Sequence, residues 1–208
     1  MKTISGIINL LLVVVILTPA VFASNNEKDY EKIGSKVQPD NLFPKVKIDT
    51  SQGVIVVELN RHKSPISSNN FIGYAVSGLY DDTIFHRIAK DFVIQGGGFD
   101  RFNNPRPNGK PIFNESGNGL TNSLYTIAMA RTDKPHSATN QFYFNLGENE
   151  SLNPGKDWGY AVFGDVLEGS EVLDLISQIP IQKKVSLGWD EMPQTQILIK
   201  TITMIAEE

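Results

Sequence analysis

Residues 85–99 read FHRIAKDFVIQGGGF, a stretch that combines two predicted strands with one charged side chain between aromatic residues. In a strand that begins at Thr83, side chains alternate between faces, so Phe85 and Arg87 are predicted to share one face. Burying an unpaired charge is costly, so Arg87 needs a partner. Gln95 is a suitable neutral partner, and the glycines after it allow tight turns or close backbone approach. The stretch therefore predicts an arginine held beside aromatic side chains on a pair of strands.

Short strands separated by turn residues surround this stretch. From Pro44 onward, β-branched and aromatic residues recur in short segments bounded by Gly, Asn and Pro. Because full closure removes exposed sheet edges, many short strands favour a barrel. Two amphipathic segments, residues 65–77 and 168–179, are predicted to be helices that cover its open ends. The sequence thus predicts a mainly β fold, a closed eight-stranded antiparallel β-barrel capped by two α-helices, with strands at residues 46–50, 54–59, 83–88, 92–95, 126–130, 141–145, 160–166 and 195–205.

Residues 1–23 have the three-part layout of a secretory signal peptide. Lys2 supplies a positive charge, residues 7–17 form an apolar run, and Val21 and Ala23 place small side chains just before the cleavage point. An uncleaved membrane anchor is the alternative, but the apolar run is short for spanning about 30 Å of hydrocarbon. We therefore expect cleavage after Ala23 and a periplasmic location, with no stable membrane association afterwards.

Residues 24–42 are polar and contain few apolar anchors. Such a composition is typical of a flexible segment that cannot bury enough apolar surface to fold by itself. An ordered extension lying on the domain is the alternative. We predict a flexible polar leader over residues 24–42 and a folded domain over residues 43–208.

Charge and composition narrow the possible partners and cofactors. The 208-residue chain has a formal net charge of −4 and contains no cysteine, which excludes disulfides, thiolate catalysis and cysteine metal sites. An acidic chain without a basic run is a poor candidate for binding nucleic acid or anionic membranes. The histidines His62, His86 and His136 lack the spacing of metal ligands. We therefore expect a monomer that needs no metal or other cofactor.

Three further sequence blocks follow residues 85–99. They read IAMAR at residues 127–131, SATNQFYF at residues 137–144 and GYAVFG at residues 159–164. Together the four blocks resemble the signature FHRxxxxFxxQGGxF and the downstream motifs of the cyclophilin family, in the family's order and spacing. The resemblance extends from about Lys45 to Ile205. It implies a cyclophilin-like barrel and peptidyl-prolyl cis/trans isomerase activity on proline-containing polypeptides.

The resemblance also implies roles for individual residues. Arg87 would donate a hydrogen bond to the prolyl nitrogen, and Gln95 would orient Arg87 and hold the substrate carbonyl. Ala130 and Arg131 would bind the peptide, largely through backbone groups. Tyr143 stands where the family usually has a pocket phenylalanine, so its hydroxyl is expected to make the pocket floor more polar. The other expected substrate-binding residues, which line or border an apolar proline pocket, are Phe92, Val93, Gln141, Phe142, Leu152 and Tyr160.

The run Ala130-Arg131-Thr132 and the residue Tyr160 resemble the bacterial periplasmic branch of the family. Ser151 departs from the pattern, because the family usually places an aromatic residue before the pocket leucine. Together with Tyr143, this departure keeps a second function open, in which the groove binds proline peptides as a chaperone or scaffold with little or no turnover. A barrel carrying a small ligand inside is a third possibility, although the density of Phe and Ile favours a filled interior.

Arg87 and the aromatic residues of the predicted pocket could also have purely structural roles. Arg87 is also compatible with a purely structural ion pair. Phe92, Phe142 and Tyr143 are also compatible with core positions, and at least one of them is expected to face the core, because neighbours on a strand point to opposite faces.

Overall fold

The computed structural model describes residues 27–207. The predicted signal peptide over residues 1–23 lies outside this range, as do residues 24–26. The described part contains ten β-strands and three α-helices. None of the helices in this part is both long enough and apolar enough to cross a membrane.

Eight of these strands close into one antiparallel barrel. The ten strands are β1 (Lys45–Thr50), β2 (Val54–Leu59), β3 (Thr83–Ala89), β4 (Val93–Asp100), β5 (Thr126–Met129), β6 (Phe142–Asn145), β7 (Val162–Glu168), β8 (Ile181–Lys184), β9 (Trp189–Pro193) and β10 (Ile197–Met204). Neighbours around the barrel follow the order β1-β10-β3-β4-β6-β5-β7-β2. The predicted eight-stranded barrel is therefore confirmed. β8 and β9 form a separate two-stranded hairpin, which the sequence did not predict.

The barrel interior is filled with large side chains. β1 and β2 alternate buried and more exposed residues, as half-buried strands do. β5 and β6 are buried throughout, because a second apolar cluster covers their outer face. The fully buried aromatic residues of the interior pack tilted or edge-to-face, with ring centroids 5.1–6.2 Å apart; they are Phe71, Tyr80, Phe85, Phe142, Phe144 and Phe163.

Two of the helices correspond to the predicted caps, and the third is an addition. They are α1 (Tyr30–Gly34), α2 (Pro65–Val76) and α3 (Ser170–Ser177). α2 begins and ends within one residue of the prediction, and α3 is two residues shorter at each end. Buried apolar side chains of α2 and α3, such as Ile72 and Leu173, join the barrel core.

Residues 27–42 pack against the domain and do not form the flexible leader that their composition predicts. Tyr30 in α1 stacks on Tyr74 of α2, with ring centroids 4.0 Å apart. The buried guanidinium of Arg61 donates to several backbone carbonyls of the segment, including that of Asn41 at 2.8 Å. The amino-acid composition of residues 27–42 could not predict this packing, because many of the hydrogen bonds to Arg61 are accepted by backbone carbonyls, which every residue has.

Candidate active site

A β-bulge in β3 places Arg87 outside the barrel. Phe85 pairs with Gly96 of β4 and Arg87 pairs with Gln95, so β3 carries one extra residue between these two pairs. Such a bulge re-aims the side chains beside it. Phe85 is fully buried inside the barrel, whereas Arg87 is partly exposed to solvent. The prediction that the two side chains share one face is therefore wrong, because alternation breaks at the bulge.

The guanidinium of Arg87 forms an ion pair at the protein surface. Its Nε donates to Oε2 of Glu191 on β9 at 2.8 Å, and both side chains are 36% exposed. Its Cζ lies 5.9 Å from the centre of the Phe92 ring. Arg87, Gln95 and Glu191 also line a surface cleft with a volume of about 270 Å³. Arg87 therefore faces an accessible cleft next to an aromatic ring.

The side chain of Gln95 is held by a different residue from the one predicted. Its amide Nε2 donates to Oε1 of Gln141 at 2.8 Å. Within residues 27–207, no hydrogen bond joins the side chains of Gln95 and Arg87, although their backbones are opposite each other on β3 and β4. The expectation that Gln95 orients Arg87 is corrected: Gln141 positions Gln95, and Glu191 contacts Arg87.

A cluster of apolar side chains, named the apolar pocket here after the predicted proline site, lies on the outer face of the barrel. Outward-facing side chains of adjacent strands lie side by side there and form a cluster separate from the interior. The predicted residues that the structure brings together in this cluster are Phe92, Val93, Ala130, Tyr143, Leu152 and Tyr160. Sequence reasoning missed the smaller members, which carry no chemical signal of their own: Ala89, Leu120, Ala128 and Val162.

Phe142 lies inside the barrel and is not a pocket residue. Its side chain is fully buried, and its ring centroid is 5.2 Å from that of Phe71 and 5.3 Å from that of Tyr80. Successive side chains of β6 point to opposite faces, so Tyr143 faces the pocket instead. The predicted substrate-binding role of Phe142 is therefore wrong.

The hydroxyl of Tyr143 is bound beneath the pocket and does not make its floor more polar. It donates to Oδ1 of the buried Asn122 at 2.7 Å, and burial raises the pKa of Tyr143 well above its ordinary value. Nδ2 of Asn122 in turn donates to the carbonyls of Leu152 at 3.2 Å and Tyr160 at 3.3 Å. Asn122 thus ties three pocket residues together, although nothing in its local sequence indicated such a role.

Arg131 supports the rim of the pocket. Its Cζ lies 4.4 Å from the centre of the Tyr160 ring, and its Nε donates to the carbonyl of Gly159 at 3.1 Å. The backbone N–H of Ala130 donates to the carbonyl of Gln141 at 3.0 Å. The side chain of Arg131 is therefore engaged in holding the loop that carries Tyr160.

His86 is an uncharged structural neighbour of the site. Its ring packs against Phe99 at 4.8 Å and Trp189 at 5.3 Å between centroids. Burial, assisted by the positive charge of Arg87, lowers its pKa to about 4. Among residues 27–207, no three histidine, aspartate or glutamate side chains are grouped so that they could hold a metal ion.

Comparison with known sequences agrees with this arrangement. A model of the family described as cyclophilin type peptidyl-prolyl cis-trans isomerase/CLD matches residues 45–204. The chain belongs to the cyclophilin family. The matched range includes every strand of the cyclophilin barrel and the residues of the apolar pocket.

Individual cyclophilins are similar over most of their length. A peptidyl-prolyl cis-trans isomerase of Streptomyces antibioticus is 44% identical over 164 residues, which cover 77% of this chain and 98% of the relative. Peptidyl-prolyl cis-trans isomerase B of Escherichia coli is 39% identical over 163 residues, covering 76% and 98%. A crystal structure of a cyclophilin from Cryptosporidium parvum matches with a TM-score of 0.67 at 27% identity, covering 80% of this chain and 99% of that one. This cyclophilin is thus a peptidyl-prolyl cis-trans isomerase.

Proposed function

We propose that Arg87 is the catalytic residue of this cyclophilin, and that its substrates are X-Pro bonds in exported, unfolded or partly folded proteins. The observation that carries the proposal is the position of the guanidinium, 5.9 Å from the Phe92 ring and at the edge of the apolar pocket. A proline ring in the pocket would bring its imide bond close to this fixed positive charge.

The chemistry of the reaction suits such a site. Rotation about the peptide bond faces a barrier of roughly 18–20 kcal/mol because the C–N bond has partial double-bond character. A guanidinium that hydrogen-bonds to the prolyl nitrogen stabilises the pyramidal, non-conjugated form more than the planar one. Because this bond is strongest at the transition state, it accelerates the reaction without a covalent step. Arginine suits the task because it stays charged and presents several fixed donors.

The required acceleration is within reach of one such contact supported by binding. Uncatalysed X-Pro exchange takes tens of seconds or longer. Shortening about 10 s to about 1 ms is a factor of about 10⁴, equivalent to about 5.4 kcal/mol of barrier. Charge-assisted hydrogen bonds in a preorganised site contribute several kcal/mol of this kind.

The remaining site residues supply binding. Phe92, Val93, Tyr143 and Leu152 belong to the apolar pocket and would pack against a proline ring. Gln95 uses one amide hydrogen on Gln141, which leaves the second to donate to a substrate carbonyl. The Cryptosporidium parvum protein has also been crystallised in the presence of the dipeptide Ala-Pro, which supports a proline-peptide ligand for this pocket.

Substitution of Arg87 tests the catalytic proposal. We expect Arg87→Ala to lower kcat/KM about 100-fold or more in a protease-coupled proline-peptide assay, while peptide binding followed by NMR titration is retained. Arg87→Lys should recover little activity, because lysine lacks the planar set of donors. Arg101→Ala, which removes an exposed arginine paired with Asp82, is the control and should behave as the unmodified protein. An Arg87→Ala variant with full activity would contradict the proposal, and binding without turnover in the unmodified protein would favour the chaperone or scaffold function.

We further propose that the chain acts in the periplasm as a monomer after loss of residues 1–23. The support is the signal-peptide layout of the sequence and a mature domain without a basic run. Expressed in a Gram-negative host, the protein is expected in the periplasmic fraction with Ser24 as its first residue, as determined by intact mass. Recovery of the uncleaved chain from the membrane fraction would refute this localisation.

A further inference from the structure

A hairpin outside the barrel supplies the partner of Arg87. Glu191 lies on β9, 104 positions along the chain from Arg87, and its carboxylate accepts from Nε at 2.8 Å. We infer that Glu191 is the positioning residue for Arg87, in the role that the sequence assigned to Gln95. The inference rests on the proposed catalytic role of Arg87.

The hairpin is anchored on the strands that carry the site. Trp189, two residues before Glu191, packs its ring against His86 and Phe99, with centroids 5.3 Å and 4.7 Å away. His86 directly precedes Arg87 on β3, and Phe99 lies on the adjacent β4. Met192, which follows Glu191, is buried. Glu191 is thus held between two anchored neighbours at a defined distance from Arg87.

The hydrogen bond from Nε of Arg87 to Glu191 orients the guanidinium and leaves its two terminal nitrogens available to a substrate. Of the five N–H groups of arginine, the contact uses only the one on Nε. Within residues 27–207, the hydrogen bonds of the Arg87 side chain go to Glu191 alone, so both terminal nitrogens remain able to donate to a substrate. Because Gln95 is committed to Gln141, the hairpin carboxylate provides the orientation that Gln95 does not.

The partial exposure of the Arg87–Glu191 ion pair indicates that Glu191 positions the guanidinium without neutralising its charge. Both side chains are 36% exposed, so solvent screens much of the attraction between their charges. The guanidinium therefore keeps most of its ability to stabilise the transition state. Holding a catalytic group in place matters strongly, since a displacement of about 1 Å can reduce a rate by about 100-fold. The contact should accordingly affect turnover more than substrate binding.

Kinetics of three variants test the inference. We expect Glu191→Ala to lower kcat about 10-fold while KM stays within about twofold of its original value. Glu191→Gln keeps an oxygen that accepts from Nε and should retain at least half of the activity. Asp190→Ala is the matched control, because Asp190 lies on the same hairpin but pairs with Lys183 at 2.9 Å. It should leave kcat and KM unchanged.

An NMR measurement separates positioning from a general effect on the hairpin. The Nε–Hε resonance of Arg87, assigned by its loss in Arg87→Lys, should be protected from exchange in the unmodified protein, in Glu191→Gln and in Asp190→Ala. It should exchange faster in Glu191→Ala. Unchanged kcat in Glu191→Ala, or equal losses in Glu191→Ala and Asp190→Ala, would overturn the inference. If Arg87→Ala itself stays active, the proposed function fails; if Arg87→Ala is inactive and Glu191→Ala is fully active, only the positioning role fails.

Discussion

At the scale of single residues, His86 links the site to the pH dependence of stability. Its ring is buried against Trp189 and Phe99, and its pKa is lowered to about 4 from an ordinary value of 6.5. Below pH 6.5 the unfolded chain takes up a proton on this residue, whereas the folded protein does not until about pH 4. The unfolded state therefore binds more protons in this window, so the free energy of unfolding falls as the pH is lowered through it.

We expect His86→Phe to remove this contribution. The loss from His86 between pH 7.5 and pH 4.5 amounts to about 2–3 kcal/mol, measurable by urea unfolding at the two pH values. Carboxylates also titrate near pH 4.5, so the informative quantity is the difference between the variant and the unmodified protein. His62→Gln, which changes an exposed histidine before α2, is the control. Equal losses in His86→Phe and the unmodified protein would show that His86 does not cause the effect.

At single residues, the sequence predicted the face of a side chain where a strand is regular and not where a bulge interrupts it. Tyr143 and Val93, which the resemblance to the cyclophilin family assigned to the pocket, lie together in the outer apolar cluster. Alternation explains why Phe142, next to Tyr143, faces the interior. The face of the barrel from which the Arg87 side chain projects depends on a bulge in β3, and the alternating sequence pattern does not reveal this bulge. Glu191 could not be assigned at all, because its contact joins distant parts of the chain.

At the scale of secondary-structure elements, α1 and α2 meet through two glycines. A Cβ atom added to Gly73 on α2 would lie 1.9 Å from the carbonyl oxygen of Tyr30, and one added to Gly34 on α1 would lie 1.8 Å from that of Asn69. These distances leave no room for any side chain between the two backbones. The glycines therefore permit the close approach that buries Tyr30.

We expect Gly73→Ala to destabilise the protein, although alanine is the better helix former by about 1 kcal/mol. The added methyl group must push α1 away from α2, and overpacking of this kind costs about 1–3 kcal/mol. Urea unfolding measures the loss, and limited proteolysis within residues 27–42 should accelerate. Gly117→Ala is the control, because a Cβ there meets no atom within 4 Å. A Gly73→Ala variant as stable and as protease-resistant as the unmodified protein would contradict this account of the interface.

The elements that sequence reasoning found are those with a regular apolar pattern. β1 and β2 bury alternating residues and α3 buries one apolar face, whereas β5 and β6 are short runs rich in apolar residues and are buried throughout; each of these patterns is visible in the sequence. β8 has no such pattern, because all four of its residues are exposed. α1 is short and polar, and of its five residues only Tyr30 and Gly34 are buried. Both elements are held by tertiary contacts that a local pattern does not record.

At the scale of the whole molecule, closure of the barrel depends on its last strand. β10 lies between β1 and β3, pairing Val46 with Met204 on one side and Phe85 with Ile197 on the other. Segments near the two ends of the described range are also joined directly, since the side-chain amide of Gln38 donates to the carbonyl of Ile205 at 2.9 Å. The architecture is therefore built on pairings between distant parts of the sequence.

The position of β10 governs when folding can finish. During synthesis, β1 and β3 leave the ribosome long before Ile197–Met204, and until that strand arrives they have no neighbour across the gap. The aromatic interior stays open to water in the meantime, and long-range pairing of this kind makes folding slow. The native barrel thus forms only after translation of β10, so the nascent chain lacks a closed core for almost all of its synthesis.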